Sequence, residues 1–322
     1  MNSIPEKHQA LSAGIAKSII GQRSVVDDVL LTILCGGHAL ITGVPGLAKT
    51  SLIRTLSQCL DLSFRRIQFT PDLMPSDITG TDIIEEDPAT GKRRIQFLEG
   101  PVFGNLILAD EINRTPPKTQ AAMLQTMQEH EVSVGNKTYP LPKPFHVFAT
   151  QNPLEMEGTY TLPEAQADRF MFNIQCQYPT VVEEEEIVRS TTSGTIPQPS
   201  PILNSDQILE MQQITRLIPV SSEVISYAVQ LASRSRPESE NAPDYVREFV
   251  RWGASPRASQ YLILGAKGRA AIMGAPCVDF DMVRSVAHQV MLHRIMTNFH
   301  ARAQKVETTE IINRLLDDIP AK

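Results

Sequence analysis

One short run restricts the fold of this chain more than any other. HALITG (38–43) is apolar, KTSLIRTLSQCL (49–60) carries apolar residues at helical spacing, and GVPGLAKT (43–50) joins them. A strand that turns through glycines directly into a helix begins a β–α unit, and such units assemble on a parallel sheet. Backbone N–H groups in that turn converge with the helix N-terminus, which suits a phosphate group. Gly43 and Gly46 permit the turn, Lys49 supplies a cation for terminal phosphates, and Thr50 supplies a hydroxyl for Mg²⁺. Val44, Pro45, Leu47 and Ser51 complete the candidate loop. Ala48 stands where the usual pattern has its last glycine. The position opens a helix, so a negative φ, comfortable for alanine, is expected there.

The rest of the first half repeats the alternation. FRRIQF (64–69), NLILAD (105–110), FHVFATQN (145–152) and RFMFNI (169–174) read as strands, and 5–19, 23–35, 49–60 and 116–130 as helices. Continuous apolar runs such as NLILA fit strands buried on both faces. Two segments break the pattern. TDIIEEDPATGKRRIQF (81–97) and EVSVGNKTYPL (131–141) read as hairpins that the sheet does not need. Composition shifts at TTSGTIPQPSPILNSD (191–206), rich in Pro, Ser and Thr, which marks a linker. Beyond it every periodic segment is helical, at about 206–216, 221–234, 256–272, 279–298 and 307–317. The expected organisation is an α/β domain over 1–190, a linker over 191–205 and an all-α domain over 206–322. The acidic run Glu183–Glu186 reads as a solvated first helical turn.

Charge and cysteine content exclude some classes. The 322 residues carry a formal net charge of −6, which argues against a broad basic nucleic-acid footprint. No apolar run reaches the roughly 20 residues needed to span a bilayer, and the N-terminus lacks a secretory pattern, so a cytoplasmic location is expected. Cys35, Cys59, Cys176 and Cys277 are too far apart in sequence for a zinc knuckle, and are read as reduced and mostly buried.

Two further strand ends carry candidate chemistry. Asp110 and Glu111 close an apolar strand, at the edge where α/β sheets hold ligands. Asp110 suits the Mg²⁺ shell, and Glu111 suits the orientation or deprotonation of an attacking water. FATQNP (148–153) brings a neutral amide, Asn152, to the same edge, where it suits a γ-phosphate.

These motifs resemble the MoxR group of AAA+ ATPases. GVPGLAKT, LILADEINRTPPKTQAAMLQTMQE, FATQNPLEMEGTYTLPEAQADRF and WGASPRAS carry the resemblance, in order, over about residues 15–300. Ala48 agrees with this group. The resemblance implies Walker A at Gly43, Gly46, Lys49 and Thr50, Walker B at Asp110 and Glu111, and sensor 1 at Asn152. It implies an arginine finger at Arg169 and sensor 2 at Arg257, where Ser255 and Pro256 read as a helix N-cap and first turn. Gly21 and Gln22 fall where the group lines its adenine pocket, and Arg114 resembles a second interface residue. The two hairpins match the helix-2 and pre-sensor-1 insertions of this clade. ATP with Mg²⁺, a hexameric ring of this chain, and a separate partner with a von Willebrand-type domain follow as expectations.

A motor acting on nucleic acid is a second reading, with GKRR (91–94) as its suggestive feature beside Glu85, Glu86 and Asp87. A nucleotide switch that barely turns over is a third, and the intact Glu111 argues against it.

Overall fold

The computed structural model describes residues 3–86, 93–153, 158–192 and 199–320. Helices α1 (Ser3–Ala16) and α2 (Arg23–Leu34) precede β1 (Ala39–Thr42), which runs through the glycine loop into α3 (Lys49–Cys59). Then come β2 (Phe64–Gln68), the single-turn α4 (Pro75–Thr79) and an antiparallel pair, β3 (Gly80–Glu86) with β4 (Arg93–Glu99). β5 (Leu106–Asp110) leads to α5 (Pro117–Glu129), a second pair, β6 (Glu131–Val134) with β7 (Lys137–Pro140), and β8 (His146–Gln151). After α6 (Glu164–Ala167), β9 (Phe172–Gln175) completes the sheet and α7 (Val181–Thr192) follows.

The five sheet strands run in the order β2-β5-β8-β1-β9, all parallel. The ends of β5, β8 and β1, where Asp110, Asn152 and Gly43 stand, therefore share one edge of the sheet. Alternation within β1 shows why the strand is apolar throughout. Leu40 faces the core formed with Met123, Leu124 and Met127 of α5, while Ala39 and Ile41 face the core formed with α1, α2 and α3. Helices thus cover both faces, as expected for parallel strands.

The C-terminal part comprises α8 (Ser205–Leu217), α9 (Ser222–Arg234), α10 (Asp244–Phe249), α11 (Pro256–Met273), α12 (Phe280–Met291), α13 (Phe299–Ala303) and α14 (Thr308–Asp318). Its buried residues belong to the same hydrophobic cluster as α1 and α2. At Gly268 a Cβ would stand 2.5 Å from Leu31 and 2.6 Å from Cys35, so α11 seats on α2 only with hydrogen at that point.

Three expectations for this part are corrected. It is not wholly α, because β10 (Val250–Trp252) pairs antiparallel with β11 (Met296–Thr297). The helix expected over 279–298 ends at Met291, since Arg294 turns inward to 4% exposure and the chain must then extend to meet β10. The short helix α10 has no counterpart in the sequence reading. Upstream, β9 starts at Phe172 rather than at Arg169; Arg169 and Phe170 close the turn after α6 instead.

Of the cysteines, Cys35, Cys59 and Cys176 are buried and Cys277 is exposed. Residues 193–198 of the linker and the tip of the first hairpin, 87–92, lie outside the described residues. The linker's far end is anchored, since Ile202 N–H donates to the Cys59 carbonyl at 2.7 Å. Among the described residues no helix is long and apolar enough to cross a membrane.

Candidate functional site

A cavity of about 320 Å³ opens at the shared strand edge, lined by the loop Pro45–Thr50 together with Asp110, Glu111, Thr150 and Asn152. Gly46 has φ +86°, and a Cβ added there would project into open space. The loop is thus bare backbone facing the cavity, with α3 behind it, which fits a polyphosphate. Val44 packs on the core, and Gly43 N–H donates to the Gln151 carbonyl at 3.3 Å, holding the loop's first residue to β8. Ser51 is exposed and does not line the cavity. Gln22 donates to the Leu47 carbonyl at 3.2 Å, and a Cβ on Gly21 would stand 2.9 Å from the Glu183 side chain. The 21–22 turn therefore flanks the loop, and Glu183, in the first turn of α7, accepts from the Thr180 N–H and hydroxyl at 2.8 and 2.9 Å.

Ala48 corrects the sequence reading. Its φ is 54° and its ψ 22°, the left-handed region, so the residue caps α3 instead of continuing it. For a non-glycine residue that costs roughly 1–2 kcal/mol. The usual glycine at this position has a conformational reason, and alanine here stores a little strain beside the phosphate cradle.

Polar contacts tie the cavity floor together. Lys49 Nζ donates to the Gly43 carbonyl at 2.5 Å, across the loop it belongs to. Burial lowers its pKa, partly countered by Cys176, Asp110 and Glu111. Thr150 donates to Asp110 Oδ1 at 2.6 Å and accepts from the Glu111 N–H at 2.8 Å, so a hydroxyl on β8 holds the Asp110 carboxylate and the backbone at Glu111, just past the end of β5. Arg66 donates to Asp110 Oδ2 at 2.7 Å. Glu111 Oε2 accepts from Gln68 at 2.8 Å and from Arg114 at 2.9 Å. Thr150, Arg66 and Gln68 escaped the sequence reading; the signal available was that β2 ends in polar residues, RRIQ, beside a strand that is otherwise apolar. Among the described residues no three metal-ligating side chains cluster. A magnesium ion here would rest on Thr50, Asp110 and phosphate oxygens, the usual sparse set for that ion.

Arg169 and Arg257 are elsewhere. Neither lines the loop cavity; both line a second one, of about 230 Å³, with Gly37, His130, Arg216 and Tyr261. Ser255 caps α11, its hydroxyl accepting from the Arg257 N–H at 3.1 Å and donating to Asp168 at 2.8 Å. The expected cap is present, and Arg257 lies beside Asp168 and lines the cavity of Arg169 rather than that of residues 45–50. Asp168 is the hub. Its carboxylate accepts from Arg294 at 2.7 Å and lies 3.8 Å from Arg257, while Arg294 also donates to the Asp168 and Phe170 carbonyls at 2.8 and 2.6 Å. Tyr261 donates to the Arg169 carbonyl at 3.3 Å. Backbone on both sides of Arg169 is therefore fixed, while its Nε is buried without a hydrogen-bond partner.

Neutral histidines stand at and behind this pocket: His38 lines it, and the ring centroid of His146 lies 6.5 Å from that of His38. His38 Nδ1 accepts from the Val147 N–H at 2.9 Å, leaving Nε2–H to donate to the Met127 carbonyl at 3.2 Å. His146 Nδ1–H donates to the Gly37 carbonyl at 2.8 Å, and its Nε2 faces Gln212 at 3.2 Å. Burial pushes His38 down to about 3, helped by His146 and His130, and burial pushes His146 down to about 4.

The hairpins stand away from both cavities and touch each other. Phe97 on β4 stacks on Tyr139 on β7 with centroids 4.1 Å apart. Ile84, Ile95 and Leu98 are exposed on the first hairpin.

Comparison with known proteins agrees with this geometry. Residues 38–172 match the model of the ATPase family associated with various cellular activities (AAA), and residues 244–315 match the AAA lid domain. The chain is 40% identical over 305 residues to Chaperone MoxR1 of Mycobacterium tuberculosis, covering 95% of this chain and 80% of that one. It is 28% identical over 325 residues to Protein MoxR of Methylorubrum extorquens, covering 95% and 93%. The crystal structure of a Cytophaga hutchinsonii protein proposed to be an ATPase superimposes with a TM-score of 0.91 at 38% identity, covering 99% of this chain and 96% of that one. With the phosphate cradle, the two acids at the end of β5 and the parallel sheet all in place, this chain belongs to the MoxR family of AAA+ ATPases.

Proposed function

We propose that this chain hydrolyses ATP at the contact between two copies of itself and uses the cycle to remodel a partner protein. One observation carries the reading. The phosphate cradle holds the acids and a lysine, while the arginines expected at the same phosphates line a different cavity of the same protomer. Phosphoryl transfer spreads negative charge over the equatorial oxygens, and an arginine from a neighbour can meet it. The backbone of 45–50 and Lys49 hold the phosphates, and Thr50 and Asp110 hold Mg²⁺, which neutralises charge on the phosphates when bound. Gly21 and Gln22 flank the adenine. Asn152 touches the γ-phosphate and helps orient the water from which Glu111 takes a proton. Glu111 must first exchange its contacts with Gln68 and Arg114 for that water. Arg169 acts on the neighbour's phosphates, and Arg257, held beside it through Asp168, belongs to the same side of the interface. Sensor 2 is thereby reassigned from the chain's own nucleotide to its neighbour's.

A closed ring satisfies every such interface, and six copies is the arrangement expected of this family. Residues 1–190 form the nucleotide-binding domain and 206–322 the lid in this reading. The name of one relative, Chaperone MoxR1, supports chaperone-like work; the motif resemblance alone implies a von Willebrand-type partner and its client, and this reading places them in the cytoplasm. Exposed Ile84, Ile95 and Leu98 favour a protein partner over nucleic acid, and Arg93 is already paired with Glu86 at 3.4 Å.

The test uses three variants of the full chain. Glu111→Gln should bind ATP yet lose on the order of a hundredfold or more in turnover, as expected for loss of a general base. Arg169→Ala should bind ATP and hydrolyse poorly, and mixing it with Lys49→Ala should restore activity. Near-normal turnover by purified Glu111→Gln would remove the catalytic assignment. No recovery at any mixing ratio, in assemblies shown to exchange subunits, would remove the interfacial one.

A further inference from the structure

Arg216 stands in the last turn of α8, far in sequence from any motif, and its guanidinium enters the cavity of Arg169 and Arg257. A Cβ on Gly36 would stand 3.6 Å from its Nη2, so the group lies against the turn that leads into β1. Among the described residues, neither Arg216 nor Arg169 forms an ion pair with a carboxylate. Asp168, which lies 3.8 Å from Arg257, is already taken up by Arg294 and Ser255. Lys267 Nζ donates to the Arg216 carbonyl at 2.7 Å, which ties the end of α8 to α11. Guanidiniums gathered round one small cavity repel one another, and an arrangement of this kind is relieved by an anion of high charge. A bland role, support of the α8 C-terminus by a positive charge, does not require the side chain to turn towards Gly36 and the other two arginines.

We propose that Arg216 is a third anion-binding residue of this pocket, contacting the terminal phosphates of a nucleotide held by a second copy of the chain. The inference rests on the interfacial reading above and adds a residue to it. Arg169 contributes a donor whose Nε is buried and unpartnered, Arg257 is tethered through Asp168, and Arg216 lines the same cavity beside Gly36. Three forks around one polyphosphate neutralise charge that a single finger leaves exposed.

The experiment compares Arg216→Gln and Arg216→Lys with the parent chain as assembled protein. Steady-state ATP hydrolysis, affinity for a fluorescent ATP analogue and the thermal midpoint are measured. Arg216→Gln should lose roughly tenfold to a hundredfold in kcat, as for loss of a charged hydrogen bond. Its affinity for nucleotide in its own cradle and its thermal midpoint should match the parent. Arg216→Lys should recover part of kcat, and mixing Arg216→Gln with Lys49→Ala should recover activity. A parental kcat for Arg216→Gln overturns the proposal. So does a loss of kcat that follows a lowered thermal midpoint and is not recovered on mixing. If Arg169→Ala is inactive while Arg216→Gln is normal, this inference alone fails; if both turn over normally, the interfacial reading fails with it.

Discussion

The two cavities differ in how their charges are balanced. In the loop cavity each ionic group already has a partner: Lys49 meets the Gly43 carbonyl, Asp110 meets Arg66 and Thr150, and Glu111 meets Gln68 and Arg114. In the arginine cavity, Arg257 alone of the three lies near a carboxylate, Asp168 at 3.8 Å, which is chiefly committed to Arg294, while among the described residues Arg169 and Arg216 have no carboxylate partner. The first has its acids and its cradle but lacks the arginines; the second has the arginines and no cradle. In the proposed interfacial reading the two cavities are halves of one site, each supplying what the other lacks.

Removing Arg294 should sharpen this contrast most. Arg294→Ala leaves Asp168 with only the longer contact to Arg257 and the Ser255 hydroxyl, and frees the backbone around Arg169. Breaking such a pair from one side costs about 3–5 kcal/mol. Denaturant unfolding should show that loss, while ATP-analogue affinity in the loop cavity stays near the parent value. An equal loss of nucleotide affinity would mean the two cavities are not separable.

Acid should separate them next. His38 and His146 have folded pKa values of about 3 and about 4, below the usual unfolded value of 6.5. Between those limits the unfolded chain binds more protons, so stability rises with pH through that window. The contribution is complete above about pH 6.5 and is lost as pH falls towards 4. From pH 7.5 to 5.5 the two together remove at most about 2–3 kcal/mol. Unfolding midpoints at the two pH values measure the loss, and hydrogen exchange should place it at the start of β1 and β8 beneath the arginine cavity. A flat profile across the window would show that these rings are not buried and neutral.

The smallest effect lies in the loop cavity. Ala48→Gly should relieve the left-handed strain and stabilise the chain by up to about 1 kcal/mol, read as a small rise in thermal midpoint. An Ala48→Gly chain less stable than the parent would show that alanine is favoured there by something other than its backbone.

Much of the cradle was legible in the sequence because its parts are adjacent. Gly43, Gly46, Lys49 and Thr50 act through one turn of chain, and the apolar runs of β1, β5 and β8 announce burial on both faces of the sheet. Periodicity likewise marks α14, where Ile311, Ile312, Leu315 and Leu316 form one buried stripe. What stayed hidden needed a partner far along the chain. Residues 126 positions apart, Asp168 and Arg294, meet only after α12 packs beside β9. Arg216 looks like any basic helix end until α8 docks beside the turn at Gly36. Ala48 misled because a local pattern gives the residue type a position tolerates but not its φ, which here is set by the strand before the loop and the helix after it. Sequence alone determined the chain order of the parallel strands and the glycine loop between β1 and α3, since both follow from neighbours in the chain. Tertiary structure decided that the arginines face away from that cradle, because direction depends on where a helix is packed, and packing is decided by surfaces that no single segment carries.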